Sequence, residues 1–280
     1  HTMVFADSLP ILALRYSYDC TGRSVEFPGT STHFQLNANG SRGSCYWTCL
    51  RLVSMTSKPY QLFYWPIPGR AEAARVALSL ANLDWEDVSM NRDLFATMKS
   101  NGDLPWGMVP FLKTPEGGLA ESVAILRYLG HKCNLIPENA FMAAKVDEFI
   151  DGISPHFSML EGTFGIDDLE ERTKAREALF LPDAKGTKGL KLLEKKIQES
   201  PTPWIAGTKE MSIADLMVFT YAFGLFSGNF DGVYASVLAD YPVLLAYHDV
   251  MANDERIQQH YATLPEGSQR WTYQPNAFGQ

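Results

Sequence analysis

The spacing of apolar residues changes along this chain, and that change limits the fold more than any other feature. Between residues 58 and 133 a period of two alternates with a helical period. From 138 to 265 only the helical spacing recurs. In "YQLFYW" Tyr60, Leu62 and Tyr64 fall on one face of a strand, with Gln61, Phe63 and Trp65 on the other. Pro66 and Pro68 stop it. "RAEAARVALSLANL" then predicts a helix, "WEDVSMN" a second strand, and "RDLFATMKS" a helical turn or irregular link. "MVPFLKTPEGGLAES" predicts two strands joined by a hairpin at "TPEGG", and "SVAILRYLGHKC" another helix. The order is β-α-β, then α, then β-β-α, which fits a small mixed sheet flanked by helices.

The helical half carries "AFMAAKVDEFIDGI", "LEERTKAREALFLP", "GLKLLEKKIQES", "SIADLMVFTYAFGLF" and "YPVLLAYHDVMANDERIQQHYA". Pro137 and Asn139 in "CNLIPEN" interrupt the pattern and mark the boundary. The expected organisation is an α/β domain over 55–136 and an all-α domain over 137–280, ending in a polar-aromatic tail. Residues 1–54 lack persistent periodicity and are expected to be a disordered extension, either upstream translated sequence ahead of Met55 or a targeting segment.

The formal net charge of -8 argues against nucleic-acid or anionic-membrane partners, which select cationic surfaces. No apolar run is long enough for a transmembrane helix. Cys20, Cys45 and Cys49 precede the patterned body, which holds only Cys133, so a disulfide framework is not expected. Cys45 and Cys49 lack a nearby histidine to complete a zinc pattern, and no metal site is expected. A reducing, cytoplasmic setting fits best, with organelle targeting by residues 1–54 left open.

Tyr64 ends its strand at the edge where ligands bind in α/β sheets, either presenting its hydroxyl to a site or capping a backbone carbonyl in the core. Arg70 opens the following helix, where a cation opposes the dipole; it either pairs with a distant carboxylate or serves an anionic ligand. In "LPWGMVPFL", Pro110 is compatible only with a strand edge or start, leaving the Val109 backbone free to pair with an extended ligand. Glu121 and Ser122 open a helix whose free N–H groups suit a carboxylate, although Ser122 could simply be an N-cap. "MSIADLM" is a structural device: Ser212 and Asp215 form a capping box, with Met211 and Leu216 as a hydrophobic staple.

Taken in register, "YQLFYWPIPGRAEAAR", "LPWGMVPFL", "LAESVAILRYL" and "WIAGTKEMSIADL" resemble the cytosolic glutathione S-transferases of the tyrosine type, closest to the sigma class, over residues 58–265. The resemblance implies a thioredoxin-like domain that binds glutathione, followed by a helical domain that forms most of the second-substrate pocket. It implies that Tyr64 is the catalytic tyrosine and that Arg70 braces the site. It implies that Gly107, Met108 and Val109 line the cysteinyl part of glutathione, next to a cis-proline at Pro110. Glu121 and Ser122 would hold the γ-glutamyl end, with Lys99 and Phe95 near the glycyl end. Phe95 stands where the sigma class usually has tryptophan and cannot donate an indole hydrogen bond. Glu121 replaces a usual glutamine, and Pro68 replaces a residue that is often basic. Asp151 lies near the acidic position that aids the γ-glutamyl end across a dimer, without a secure register.

The implied activity is a glutathione transferase, with glutathione as co-substrate and no metal. Its partners are a hydrophobic electrophile and a second copy in a homodimer. The alternatives are a glutathione-dependent isomerase or peroxidase on lipid peroxides, or a weakly active binding or structural protein. Met159, Phe164 and Tyr221 are candidates for the second-substrate pocket, and the aromatic tail either covers that pocket or frays.

Overall fold

A computed structural model describes residues 58–279; the expectations for residues 1–54 and for Met55 lie outside the described residues. Strand β1 (Tyr60–Tyr64) pairs in parallel with β2 (Trp85–Ser89) and antiparallel with β3 (Phe111–Thr114), which turns back into β4 (Gly117–Ala120). The four-stranded sheet has the order β2-β1-β3-β4. The alternation read from "YQLFYW" holds, with Tyr60, Leu62 and Tyr64 buried and Gln61 and Phe63 partly exposed. At the β3–β4 hairpin, Thr114 Oγ1 accepts from the N–H groups of Glu116 and Gly117, both at 3.1 Å.

The first helix differs from its sequence expectation. A single 3-10 turn spans Gly69–Ala71, and only then does α1 (Glu72–Leu80) begin. "RDLFATMKS" takes the helical of its two readings and extends it to a full helix, α2 (Arg92–Asn101), capped by Asn91 Oδ1, which accepts from the Leu94 N–H at 2.8 Å. The strand expected from "MVP" starts only at Phe111, since Pro110 has no N–H for the ladder. Helix α3 (Ser122–Lys132) completes this half.

The remainder is helical: α4 (Ala140–Phe157), α5 (Leu169–Glu177), α6 (Lys185–Glu199), α7 (Ile213–Leu225), α8 (Pro242–Ala252), α9 (Glu255–Ala262) and α10 (Ser268–Trp271). The long run "YPVLLAYHDVMANDERIQQHYA" breaks in two because Asp254 caps a new helix, accepting from the Arg256 N–H at 2.9 Å. Every residue of α7 is buried, as a helix apolar on all sides must be. Its start carries the expected capping box. Asp215 additionally accepts from Ile205 N–H at 2.7 Å and from Tyr247 Oη at 2.9 Å.

The C-terminal tail neither frays nor covers a pocket. Tyr273 is buried and stacks on Tyr261 at 4.7 Å between ring centroids, and its hydroxyl donates to Thr220 O on α7 at 2.9 Å. The tail is core, and it fixes the central helix from outside.

Candidate functional site

Strand register brings the sequence-distant candidates to one edge of the sheet. Because β1 and β3 are antiparallel, the carboxyl end of β1 lies beside the amino end of β3, with Phe63 opposite Phe111. The hairpin then returns the carboxyl end of β4 to the same place, with Phe111 opposite Ala120. Tyr64 therefore closes β1 where Val109 and Pro110 lead into β3, and where Glu121 and Ser122 leave β4 for α3.

The Tyr64 hydroxyl accepts a hydrogen bond from the Arg70 N–H at 3.0 Å. One lone pair is thus used within the protein, and the phenolic proton remains able to donate. Burial raises its pKa above the ordinary phenol value; the Arg70 amide and the charges of Arg70 and Arg75 pull it back. The phenol is neutral at physiological pH and can donate. Gly69 makes the approach possible: at φ +45°, a Cβ there would lie 2.7 Å from the Tyr64 hydroxyl.

Arg75, which the sequence reading passed over, shapes this corner. Its buried guanidinium donates to Ile67 O at 3.0 Å, Pro68 O at 3.2 Å and Trp65 O at 3.3 Å, and it pairs with Glu72 at 2.9 Å and Asp87 at 2.8 Å. It also sits 5.7 Å from the centroid of the Tyr64 ring. The signal in the sequence was a cation on an apolar helix face four residues after an alanine. Burial of that face makes such a cation a structural clamp.

Arg70 resolves one of its two readings. Its Nη2 bonds Ser158 Oγ at 2.8 Å and forms an ion pair with Glu161, so it ties the β1–α1 corner to the end of α4. Asp151 pairs with Arg127 on α3 at 2.9 Å.

At the other end, Lys99 Nζ stands 5.8 Å from the Phe95 ring centroid, and its Cε lies 3.3 Å from where a Gly107 Cβ would be. Met108 is exposed, Val109 half-buried and Pro110 buried, and the Val109–Pro110 peptide is cis. Among the described residues, neither backbone polar group of Val109 is bonded to another backbone group. Glu121, not Ser122, is the N-cap of α3, and it adopts φ 69°, ψ 115°. That conformation is costly for a residue with a side chain. Ser122 is buried in the first turn.

Beside Tyr64 a pocket opens between the two halves, lined by Ile67, Leu160, Phe164, Tyr221, Leu225 and Phe230, with Arg70 and Glu161 at its polar end. Of the three candidates for this pocket, Phe164 and Tyr221 line it. Met159 does not; it packs into the buried core next to Leu160. Leu160, Glu161 and Phe230 were not singled out from sequence. Leu160 and Glu161 lie in or beside a short 3-10 turn and Phe230 in an irregular stretch, so no periodicity points at them. Among the described residues, no group of three His, Cys, Asp or Glu side chains could hold a metal ion.

Comparison with known proteins matches residues 60–131 to the glutathione S-transferase N-terminal domain and 162–263 to the glutathione S-transferase C-terminal domain. Glutathione S-transferase 1 of Ascaris suum is 30% identical over 160 residues, covering 57% of this chain and 76% of that protein. Glutathione S-transferase A4 of Mus musculus is 27% identical over 217 residues, covering 77% of this chain and 92% of its own. The structure of prostaglandin synthase D of Nilaparvata lugens superposes with a TM-score of 0.65 at 23% identity, over 74% of this chain and 99% of that one, a likeness of fold.

Proposed function

The chain belongs to the glutathione S-transferase family, whose members use glutathione as co-substrate, and from that premise we propose that Tyr64 donates its phenolic proton to the glutathione sulfur and stabilises the thiolate. The observation that carries this reading is the Arg70 N–H to Tyr64 hydroxyl bond, which orients the phenol and leaves its proton unspent.

The energetics are of the right size. A free thiol has a pKa of about 8.5, so little of it is ionised at neutral pH. Lowering it by about two units needs roughly 2.7 kcal/mol of preference for the anion. A hydrogen bond to a charged group supplies about 1.5–3 kcal/mol. The thiol proton leaves to water. The sulfur lone pair then forms a carbon–sulfur bond with an apolar electrophile seated against Phe164, Leu225 and Phe230, and the electrophile's leaving group departs with its bonding pair.

Val109 would pair with the cysteinyl backbone, and the N-terminus of α3 with Glu121 and Ser122 would take the γ-glutamyl end. Lys99 would reach the glycyl carboxylate beside Phe95, while Gly107 and Met108 would line the cysteinyl part together with Val109. In this reading Arg70 is a brace whose charge is shared with Glu161. The proposed domain boundary lies near Pro137, between α3 and α4. A sigma-like class, a homodimer and a cytoplasmic location are further parts of the proposal. Among the described residues, no helix is long and apolar enough to cross a membrane. Conjugation is favoured over isomerase, peroxidase or purely structural roles, since the relatives matched over most of their length by sequence include several that carry the transferase name.

Glutathione-affinity retention together with turnover of a chloronitrobenzene electrophile tests the reading. Both are expected; retention without turnover would move the binding-protein alternative ahead.

A further inference from the structure

Tyr221 sits in the middle of α7, 151 residues from Arg70 in sequence, and its hydroxyl donates to the Arg70 carbonyl at 2.9 Å. Arg70 in turn donates its N–H to the Tyr64 hydroxyl at 3.0 Å. The two phenols are thus joined through the backbone of one residue. That residue lies in a single 3-10 turn directly after Gly69, whose φ of +45° gives the segment little intrinsic preference for this shape. The turn contains no cap hydrogen bond from a side chain at its start. Its position depends on what grips it from outside. Arg75 grips the preceding carbonyls of residues 65, 67 and 68. Tyr221 grips the carbonyl of Arg70 itself.

The anchor is rigid. Tyr221 is 8% exposed and belongs to a helix buried along its whole length. The carbonyl next to it, Thr220 O, is held by Tyr273 of the tail at 2.9 Å. The Ser122 side chain is a further hydrogen-bond partner of the Tyr221 phenol. One hydroxyl therefore touches both the corner that sets Tyr64 and the helix start proposed for the γ-glutamyl end.

We propose that Tyr221 is a positioning residue for thiolate formation, holding the Arg70 peptide so that its N–H meets the Tyr64 hydroxyl and aims the phenolic proton at the sulfur. This rests on the reading of Tyr64 given above. Tyr221 is neither an acid nor a base in the reaction; it acts through Arg70. A phenol that merely lined the pocket would leave the thiol's ionisation untouched and change only the electrophile's KM.

The test is the pH titration of thiolate absorbance for glutathione bound to the full chain, in wild type, Tyr64→Phe, Tyr221→Phe and the double variant. Tyr221→Phe is expected to raise the bound thiol pKa by about half to one unit, which means about three- to tenfold less thiolate at a pH well below both values. The kcat for a chloronitrobenzene at that same low pH should fall by a similar factor. The KM for that electrophile should change less than twofold. In the double variant the Tyr221 change should add little to Tyr64→Phe, the signature of two residues acting as one unit. Tyr221→Leu, which removes the same hydroxyl, replaces Tyr221→Phe if that variant does not fold.

An unchanged thiol pKa in Tyr221→Phe, beside a raised one in Tyr64→Phe, overturns the proposal and leaves the Tyr64 reading standing. Fully additive shifts overturn it as well. If Tyr64→Phe itself leaves the thiol pKa at the wild-type value, the Tyr64 reading fails, and this inference fails with it.

Discussion

The backbone N–H of Arg70 points at the hydroxyl oxygen of Tyr64 from 3.0 Å, although the Arg70 side chain turns away to Ser158 and Glu161. The arginine's peptide serves the tyrosine, while its charge braces the helical half. Mutations that change the backbone at this corner should therefore hurt more than their size suggests.

Gly69→Ala is the sharpest case. The added methyl would stand 2.7 Å from the Tyr64 hydroxyl, at a backbone φ of +45° that disfavours any side chain. The phenol has to move. We expect kcat/KM to fall at least about tenfold, or about 1.4 kcal/mol of transition-state stabilisation, with the fold retained by circular dichroism. Steady-state kinetics at one pH suffices, and a wild-type value contradicts the geometry.

Glu121 holds φ 69°, ψ 115° at the start of α3, a conformation that costs about 1–3 kcal/mol for a residue with a side chain. Glu121→Gly should relieve it and raise stability by about 1 kcal/mol after the entropy of glycine is counted. Losing the carboxylate should at the same time raise the KM for glutathione. Thermal unfolding and glutathione kinetics are read together: a variant that is less stable, or that binds glutathione as before, argues against a strained binding residue.

Asp215 accepts four hydrogen bonds, from Ile205 N–H, Ser212 N–H, Ser212 Oγ and Tyr247 Oη, at 2.7–2.9 Å. Asp215→Ala leaves buried donors unsatisfied and removes the cap of the central helix. A loss of about 3–5 kcal/mol in urea unfolding is expected. A loss below about 1 kcal/mol would mean that water replaces the carboxylate and that the cap is dispensable.

His260 gives the stability a defined pH dependence. Its Nδ1 meets Ser79 Oγ at 2.8 Å, its Nε2 is buried without a partner, and burial with Arg75 nearby pushes its pKa down to about 4 from an ordinary 6.5. The unfolded chain takes up this proton first as the pH falls. The contribution is therefore intact above about pH 6.5 and is lost between there and about pH 4, by about 3 kcal/mol. His248 is also held down by burial and acts in the same sense, so the informative quantity is the difference from His260→Gln. That variant should show a shallower decline over this range; parallel curves contradict the assignment.

Much of this molecule was legible as sequence. The alternation in "YQLFYW" marks β1 because one of its faces is buried, and "MSIADLM" marks the start of α7 because capping chemistry is local. Where a tertiary partner decides, the sequence is silent. Arg70 could have served an anion or met a carboxylate, and only the fold brings Glu161, 91 residues away, to it. Arg75 carries no local mark of its role, because the carbonyls it binds gather around it only in the folded corner. The tail read as a pocket cover or a frayed end, yet Tyr273 packs against Thr220 and Tyr261, which meet only after α7 and α9 have packed. Tyr221 carried no local mark of its bond to Arg70, since α7 is apolar on every side.

Thiolate formation turns on Tyr64, and the most direct measurement is the thiol pKa of bound glutathione in wild type and in Tyr64→Phe, read from thiolate absorbance on the full chain. A wild-type value about two units below that of free glutathione, returned most of the way by the loss of one hydroxyl, is the predicted result. Bound glutathione with an unshifted thiol in the wild type, or a shift that survives in Tyr64→Phe, would contradict it.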